Sequence, residues 1–355
     1  MQYKIEFYET NIKKEKPNPD TLKFGKYFTD YMFIMNYSNE KGWYDAQITK
    51  YTPLMLDPGT VVFHYAQSVF EGLKAFQTKT GKLNLFRPER NITRFNISNE
   101  RLNIPTVDEH LLLQSIIKLV NIEKDWIPKK EGSSLYIRPF IIATDIGLGV
   151  RSSNTYKLII ILSPVESYFG NQMKPIKIYV ENQYVRAAHG GIGFAKTAGN
   201  YAASLKAQSK ANLLGYDQVL WLDAIEKKYV EEVGSMNIFF KINGEIITPL
   251  LNDSILDGVT RDSIIHLLKH WGISVHERRI TIQEIYAAYL AGEVEEVFGT
   301  GTAAIITPIG ELKWEGKQII INNGEIGELS LKIYNTITGI QIGKEKDAFN
   351  WIIEI

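Results

Sequence analysis

The stretch GGIGFAKTAGNYAAS, residues 190–204, is where the reading of this chain starts. It is rich in glycine and alanine, carries a single cation, Lys196, and places an aromatic hydroxyl, Tyr201, five residues further on. Small residues on both sides let the backbone pass close to something bulky and leave Lys196 few neighbours of its own size. A lysine in such a partly dry place loses basicity and becomes an amine nucleophile towards a carbonyl carbon. Two other readings stay open here. One is a glycine-rich surface loop with a solvated lysine. The other is a phosphate loop, since residues 190–197 spell G-x-x-x-x-A-K-T, with alanine where that motif needs its second glycine.

Working outward, the strand IKIYVE (176–181) precedes the lysine stretch, and a helix over about 201–214 follows, closed by Gly215. Strands are expected at QVLWLD (218–223) and over 229–242, and Asn243-Gly244 is a hairpin turn. Residues 255–261, ILDGVTR, lead into an amphipathic helix ending at Gly272, and Thr281 with Glu284 forms a capping box. The strand EVFGTGTAAIITP is broken at Gly299–Thr302, and a last helix covers about 325–338 with Gly339 as its stop. Upstream, residues 1–25 read as a loosely held polar arm, and 31–38 with 44–51 as a hairpin. A longer strand-like run spans 61–76, Pro88 opens a helix that carries Arg94, and Thr106 with Glu109 caps a second helix. SLYIRPFIIA (134–143) and YKLIIILSPV (156–165) are strands. This pattern gives an α/β (α+β) chain with a small N-terminal α+β domain (1–165), a linker (166–175) and a larger second domain (176–355).

The 355 residues balance 40 Lys+Arg against 40 Asp+Glu, so no global field favours nucleic acid or an anionic membrane. The absence of cysteine excludes disulfides, thiolate catalysis and cysteine metal sites. No metal is expected. The start MQYKIEFYET lacks the apolar core of a signal peptide, and no apolar run is long enough to span a bilayer, so a cytoplasmic protein is expected.

Three places besides the lysine are suited to an anion. Gly258, Val259 and Thr260 sit at a helix start, where free N–H groups and the dipole favour phosphate or carboxylate. Gly299–Thr302 offers amides and hydroxyls at a strand break, and Arg94 could add charge. With a lone lysine they fit a phosphate-tailed aldehyde cofactor, pyridoxal phosphate, whose ring nitrogen needs a facing carboxylate to stay protonated. Glu231 and Glu232 interrupt the apolar run YVEEVGSMNIFF, and alternation puts one of them inward without saying which.

Ordered blocks then carry a resemblance: SVFEGLKAF (68–76), LFRPERNITRF (85–95), YIRPF (136–140), DIGLGV (145–150), AKTAGNY (195–201), EVGSMNIF (232–239), ILDGVTR (255–261) and VFGTGTA (297–303). With them the chain resembles the branched-chain amino-acid aminotransferases, fold-type IV pyridoxal-phosphate enzymes whose larger C-terminal domain is a pseudo-barrel. The resemblance implies that Lys196 binds the cofactor covalently and shuttles the proton between substrate Cα and cofactor C4′. It implies that Glu232 pairs with the ring nitrogen and Tyr201 with the ring O3′. Arg94, Gly258, Val259, Thr260 and Thr302 would hold the phosphate end, with Leu256 on the ring face. Ser235, Thr302 and Ala303 would meet the substrate α-carboxylate. Phe70, Gly72, Tyr136, Arg138 and Tyr168 would line the side-chain pocket. Tyr65, Leu148 and Val150 would reach in from a partner subunit of a homodimer with shared sites. Lys74, Arg186 and His64 fall in or near matching blocks without an assigned step, and His64 is expected to make a structural hydrogen bond.

Two departures stand out. Ser235 replaces a threonine common in relatives, and Ile305 and Thr307 lie where mammalian members have a redox cysteine pair. The implied activity interconverts leucine, isoleucine and valine with their 2-oxo acids, using glutamate and 2-oxoglutarate as the other pair. Rivals are a D-amino-acid aminotransferase or aminodeoxychorismate lyase of the same fold, against which YIRP and the apolar Leu148/Val150 loop argue. Others are a phosphate-loop nucleotide hydrolase with Asp223 on magnesium, and a silent binding protein.

Overall fold

The structure, a computed structural model, describes residues 4–130, 132–166 and 173–355. Tyr168 and most of the 166–175 segment lie outside the described residues. The chain divides into two compact units, and the first gathers the residues up to 166 with 195–198 and 339–355.

In the first unit the strands are β1 (Glu6–Phe7), β2 (Tyr31–Ser38), β3 (Gly42–Lys50), β4 (Ser68–Phe70), β5 (Leu73–Gln77), β6 (Leu83–Phe86), β7 (Ser134–Ala143) and β8 (Thr155–Val165). The helices are α1 (Val61–Tyr65), α2 (Pro88–Arg101) and α3 (Glu109–Ile122). One face of the sheet buries Phe33, Ile48, Leu73, Ala75, Leu135, Ile137, Leu158 and Leu162 against Ile92 and Phe95 of α2 and Leu112, Ile116 and Leu119 of α3. Alternation therefore sends Lys74, Tyr136 and Arg138 to the opposite face.

The second unit takes residues 173–194 and 199–338. Its strands are β9 (Ile176–Val180), β10 (Gln218–Leu222), β11 (Val230–Val233), β12 (Asn237–Ile242), β13 (Glu245–Thr248), β14 (Val275–Glu277), β15 (Val294–Gly301), β16 (Ile305–Trp314) and β17 (Lys317–Ile320). They run in the order β11-β10-β9-β16-β15-β12-β13-β14, with β17 against β16. The helices α4 (Ala198–Leu213), α5 (Val259–His270), α6 (Ile282–Leu290) and α7 (Glu328–Gln341) accompany this sheet in sequence. Leu220, Val233, Phe240, Ile282, Ile285, Val297 and Trp314 lie in its core. After α7 the chain returns to the first unit as β18 (Ile352–Glu354), completing the order β1-β3-β2-β8-β7-β5-β6-β18, with β4 also on β7.

Several local expectations change. The strand-like run 61–76 is α1, β4 and β5, because Ala66 turns left-handed (φ 50°) after α1 and Glu71–Gly72 leave the ladder between β4 and β5. The cap of α3 is Asp108, whose carboxylate accepts the Leu111 N–H at 2.7 Å, while the Thr106 carbonyl accepts from the Trp43 indole. The run 229–242 is two strands, turned at Gly234 (φ 59°) and closed by Val233 and Met236. β15 continues through Gly301, so the break falls at 302–304. Gly339 lies inside α7, where an added Cβ would come within 2.4 Å of Glu345 Cγ; close approach, not termination, requires glycine there. The N-terminal arm is tied down, with β1 parallel to β3 and the Lys14 N–H on Asp30 at 2.7 Å.

Candidate functional site

Lys196 lies in the short segment 195–198 that belongs to the first unit. Its N–H donates to Ser98 Oγ at 2.9 Å, and its carbonyl accepts the Phe70 N–H at 3.0 Å. Thr197 bridges Val69 and donates its hydroxyl to the Ser68 carbonyl at 2.7 Å. The backbone on both sides of the lysine is thus clamped to α2 and β4, and the half-buried amine stands 4.8 Å from the Phe70 ring centroid.

Arg94 is buried on α2, and Glu71 binds its Nε at 2.7 Å and its Nη2 at 2.9 Å. Asn91 donates to the same carboxylate at 2.9 Å. Burial alone would raise the Glu71 carboxyl, but the Arg94 guanidinium and its hydrogen bonds, with the Lys196 amine, hold it below the usual range. Glu71 binds the Nε/Nη2 edge of the guanidinium.

On the sheet face away from the core, Arg138 Nη2 donates to Tyr136 Oη at 3.1 Å, and the guanidinium carbon lies 4.7 Å from the Phe70 ring centroid. Arg138 Nε is buried with no hydrogen-bond partner among the described residues. Gly72 is needed for this arrangement, since a Cβ there would lie 1.9 Å from Tyr136 Oη. Lys74 pairs with Tyr136 across the ladder, and burial pushes its amine down to about 8. Tyr65, Leu148 and Val150 are exposed on this unit, and the Tyr65 hydroxyl donates to the Leu148 carbonyl. His64 sits on the Pro58 carbonyl at 3.0 Å, a structural hydrogen bond.

In the second unit, both glutamates of β11 are buried, so alternation does not single out one of them as inward. β11 is covered on both faces and its alternation separates two buried environments. Glu232 Oε1 accepts the Leu256 N–H at 3.1 Å and Asn237 Nδ2 at 3.4 Å, and Oε2 meets Arg186 Nη2 at 2.8 Å. Glu231 Oε1 accepts from Ser254 Oγ. Ser235 is exposed on the β11–β12 turn, beside Gly234.

Gly258 is the N-cap of α5, with no side-chain capping bond, and a Cβ on it would lie 2.0 Å from Asn237 Oδ1. Val259 and Thr260 begin the helix and are buried. Thr302 and Ala303 form the β15–β16 turn, half-buried, and Tyr201 is half-buried on α4. The phosphate-loop rival loses its magnesium ligand. Asp223 spends its carboxylate on the backbone N–H groups of Glu226 (2.7 Å), Lys228 (3.0 Å) and Tyr229 (2.8 Å).

The sequence reading gave no role to Glu71, Arg186, Asn237 or Ser254. Glu71 and Arg186 both lie in quoted or adjacent blocks, and a buried cation needs a buried anion, which was the available signal.

The family model described as amino-transferase class IV matches residues 68–312. Branched-chain-amino-acid transaminase 1 of Bacillus subtilis (strain 168) is 61% identical over 356 residues, spanning 100% of each chain. The crystal structure of Escherichia coli branched-chain amino acid aminotransferase superposes with a TM-score of 0.76 at 28% identity, covering 91% of this chain and 98% of that one. The branched-chain aminotransferase of the thermophilic archaeon Thermoproteus uzoniensis, crystallised with norvaline, superposes with a TM-score of 0.76 at 25% identity, covering 91% and 99%.

Proposed function

This chain belongs to the class IV aminotransferases and acts as a branched-chain-amino-acid transaminase, and from that premise we propose that its cofactor is pyridoxal 5'-phosphate and that the residues above handle it. Leucine, isoleucine and valine exchange their amino group with 2-oxoglutarate, in alternating half-reactions. The residues suit that cofactor. Glu232 is a buried carboxylate approached by a cation and two amides, an anion fit to face a protonated ring nitrogen. The uncapped start of α5, at Gly258, Val259 and Thr260, suits a phosphate. Lys196 offers a primary amine on a clamped backbone.

When bound, the cofactor supplies an electron sink for the carbanion left as a proton leaves the substrate α-carbon. Lys196 Nζ takes that proton and returns it. Glu232 holds a proton on the ring nitrogen, and Tyr201 hydrogen-bonds the ring oxygen. Arg94, Val259, Thr260 and Thr302 would hold the phosphate, and Leu256 would pack on the ring. Ser235, Thr302 and Ala303 receive the α-carboxylate. Phe70, Gly72, Tyr136, Arg138 and Tyr168 receive the side chain. The exposed Tyr65, Leu148 and Val150 suit a role in a partner subunit's site, in a homodimer. No helix among the described residues is long and apolar enough to cross a membrane, and the cytoplasm is the compartment we assign.

The observation that carries this reading is the buried, donor-bound Glu232. The test is the visible absorbance of purified protein before and after L-glutamate. A yellow band that bleaches with glutamate and returns with the 2-oxo acid of leucine is expected. Colourless protein that ignores added pyridoxal phosphate overturns the reading.

A further inference from the structure

Two buried carboxylates follow one another on β11, and a buried cation, Arg186, meets the second of them. Its Nη2 lies 2.8 Å from Glu232 Oε2 and also donates to the Ser254 carbonyl. Ser254 in turn donates its hydroxyl to Glu231 Oε1. Glu231 Oε2 and Arg186 Nε are buried with no hydrogen-bond partner among the described residues. A buried ion pair of this kind is a poor device for stability, because desolvation offsets the attraction. Its value lies in what it does to the charge of the groups it touches.

Resting on the function proposed above, we infer that Arg186 is a positioning residue that keeps Glu232 ionised, so that the proton shared between Glu232 and the cofactor's ring nitrogen resides on the nitrogen. A buried glutamate without this neighbour would hold the proton itself and present a neutral acid to a neutral ring. The hydrogen bond would survive and the electron sink would not. Arginine suits the task because its guanidinium stays charged when buried and its planar fork meets Glu232 and the Ser254 carbonyl together. One guanidinium cannot hold two buried carboxylates ionised. Burial pushes the Glu231 carboxyl up, against the Ser254 hydrogen bond and the Arg186 charge, while Asp223 adds to the rise. The Arg186 contact falls on Glu232, while Glu231 Oε2 has no hydrogen-bond partner among the described residues, so Glu232 is the carboxylate that draws on the Arg186 charge. The Leu256 N–H and Asn237 amide aim the Glu232 carboxylate without supplying charge.

The test counts protons. Apo-protein is titrated with pyridoxal 5'-phosphate by calorimetry in buffers of different ionisation enthalpy, for wild type, Arg186→Met, Arg186→Lys and Glu231→Gln. Above neutral pH, Arg186→Met should take up about one proton fewer than wild type on binding, since its Glu232 is already protonated. Arg186→Lys should fall between the two, since a buried ammonium keeps its charge less readily than a guanidinium, and Glu231→Gln should match wild type. An unchanged count in Arg186→Met with cofactor bound overturns the inference. Should Arg186→Met not fold, carbon-13 NMR of glutamate-labelled wild-type apo-protein, with Glu232→Gln to assign the signal, reads the charge directly. An ionised Glu232 from about pH 6 to 9 supports the role, and a protonated one refutes it. Failure of wild type to bind the cofactor would instead sink the underlying function.

Discussion

In the function proposed above, Arg138 would have to serve two chemistries. In one half-reaction the site receives the apolar side chain of leucine, and in the other the γ-carboxylate of glutamate. A wholly apolar lining would strand that carboxylate, and an open cation would be a poor neighbour for leucine. The guanidinium lies against the Phe70 and Tyr136 rings, 4.7 and 5.3 Å from their centroids, so its faces present as aromatic surroundings while its edges keep donors. Replacing Arg138 with methionine keeps much of the stem and deletes charged hydrogen bonds worth roughly 1.5–3 kcal/mol. We expect kcat/KM for glutamate and 2-oxoglutarate to fall about tenfold to a hundredfold, and that for leucine less than about threefold. Stopped-flow absorbance of the separate half-reactions is the measurement; equal losses would mean that Arg138 merely holds the region together. The pairing of Tyr136 with Arg138 was legible, because strand alternation alone puts residues two apart on one face. The stretch around Lys196 stood out in the sequence too, since small residues surround a single cation. Glu71 and Arg186 were not, because their partners, Arg94 and Glu232, are far away in sequence and no local period points to them.

At the scale of elements, ladders such as β7 and the β2–β3 hairpin could be read from composition and turns. Elements bent by a tertiary demand could not. The run 61–76 yields to Glu71, which leaves the ladder to bind Arg94, and β11 buries both of its faces, so its period lost meaning. The end of α3 is another such place. Glu123, its C-terminal cap, is buried and accepts the Tyr31 N–H at the start of β2. Burial pushes its carboxyl up to about 7, and the neighbouring Asp30 adds to this, against the hydrogen bond from Tyr31. A helix C-terminus is also a poor place for a negative charge. The folded state therefore binds the proton more tightly than the unfolded chain, whose value is near 4.5. Stability from this group is fully present below that value and is lost as pH rises through about 7. Glu123→Gln should melt at a higher temperature than wild type at pH 8, and the gap should close towards pH 4.5. Thermal melts across that range decide it, and a gap that widens on acidification would show the sign to be wrong.

For the whole molecule, the division into units does not follow the chain once from end to end. The first unit takes back residues 195–198, with Lys196, and later residues 339–355. Neither return is visible in sequence, because a short alanine-lysine-threonine segment and a terminal IIE strand look the same wherever they dock. Their docking is nevertheless specific. Trp351 is buried, packs edge-on against Phe86 at 5.5 Å and stacks on Phe349 at 4.2 Å, and its carbonyl accepts the Arg87 N–H at 2.7 Å. Arg87 is the residue just before α2, the helix that carries both Arg94 and the Ser98 hydroxyl holding the lysine segment. The C-terminus thus braces the start of the helix that carries Arg94 and Ser98, two contacts of the proposed site. Trp351→Ala should cost about 3–5 kcal/mol, as large-to-small changes at buried aromatics do, and lower Tm by roughly 10 °C for a unit of this size. Trp351→Phe, which keeps the ring packing on Phe86 and the backbone bond, should lose much less. Scanning calorimetry with and without cofactor measures both. If Trp351→Ala melts with wild type, the returning strand is a passenger on the sheet edge, and the first unit stands without its last segment.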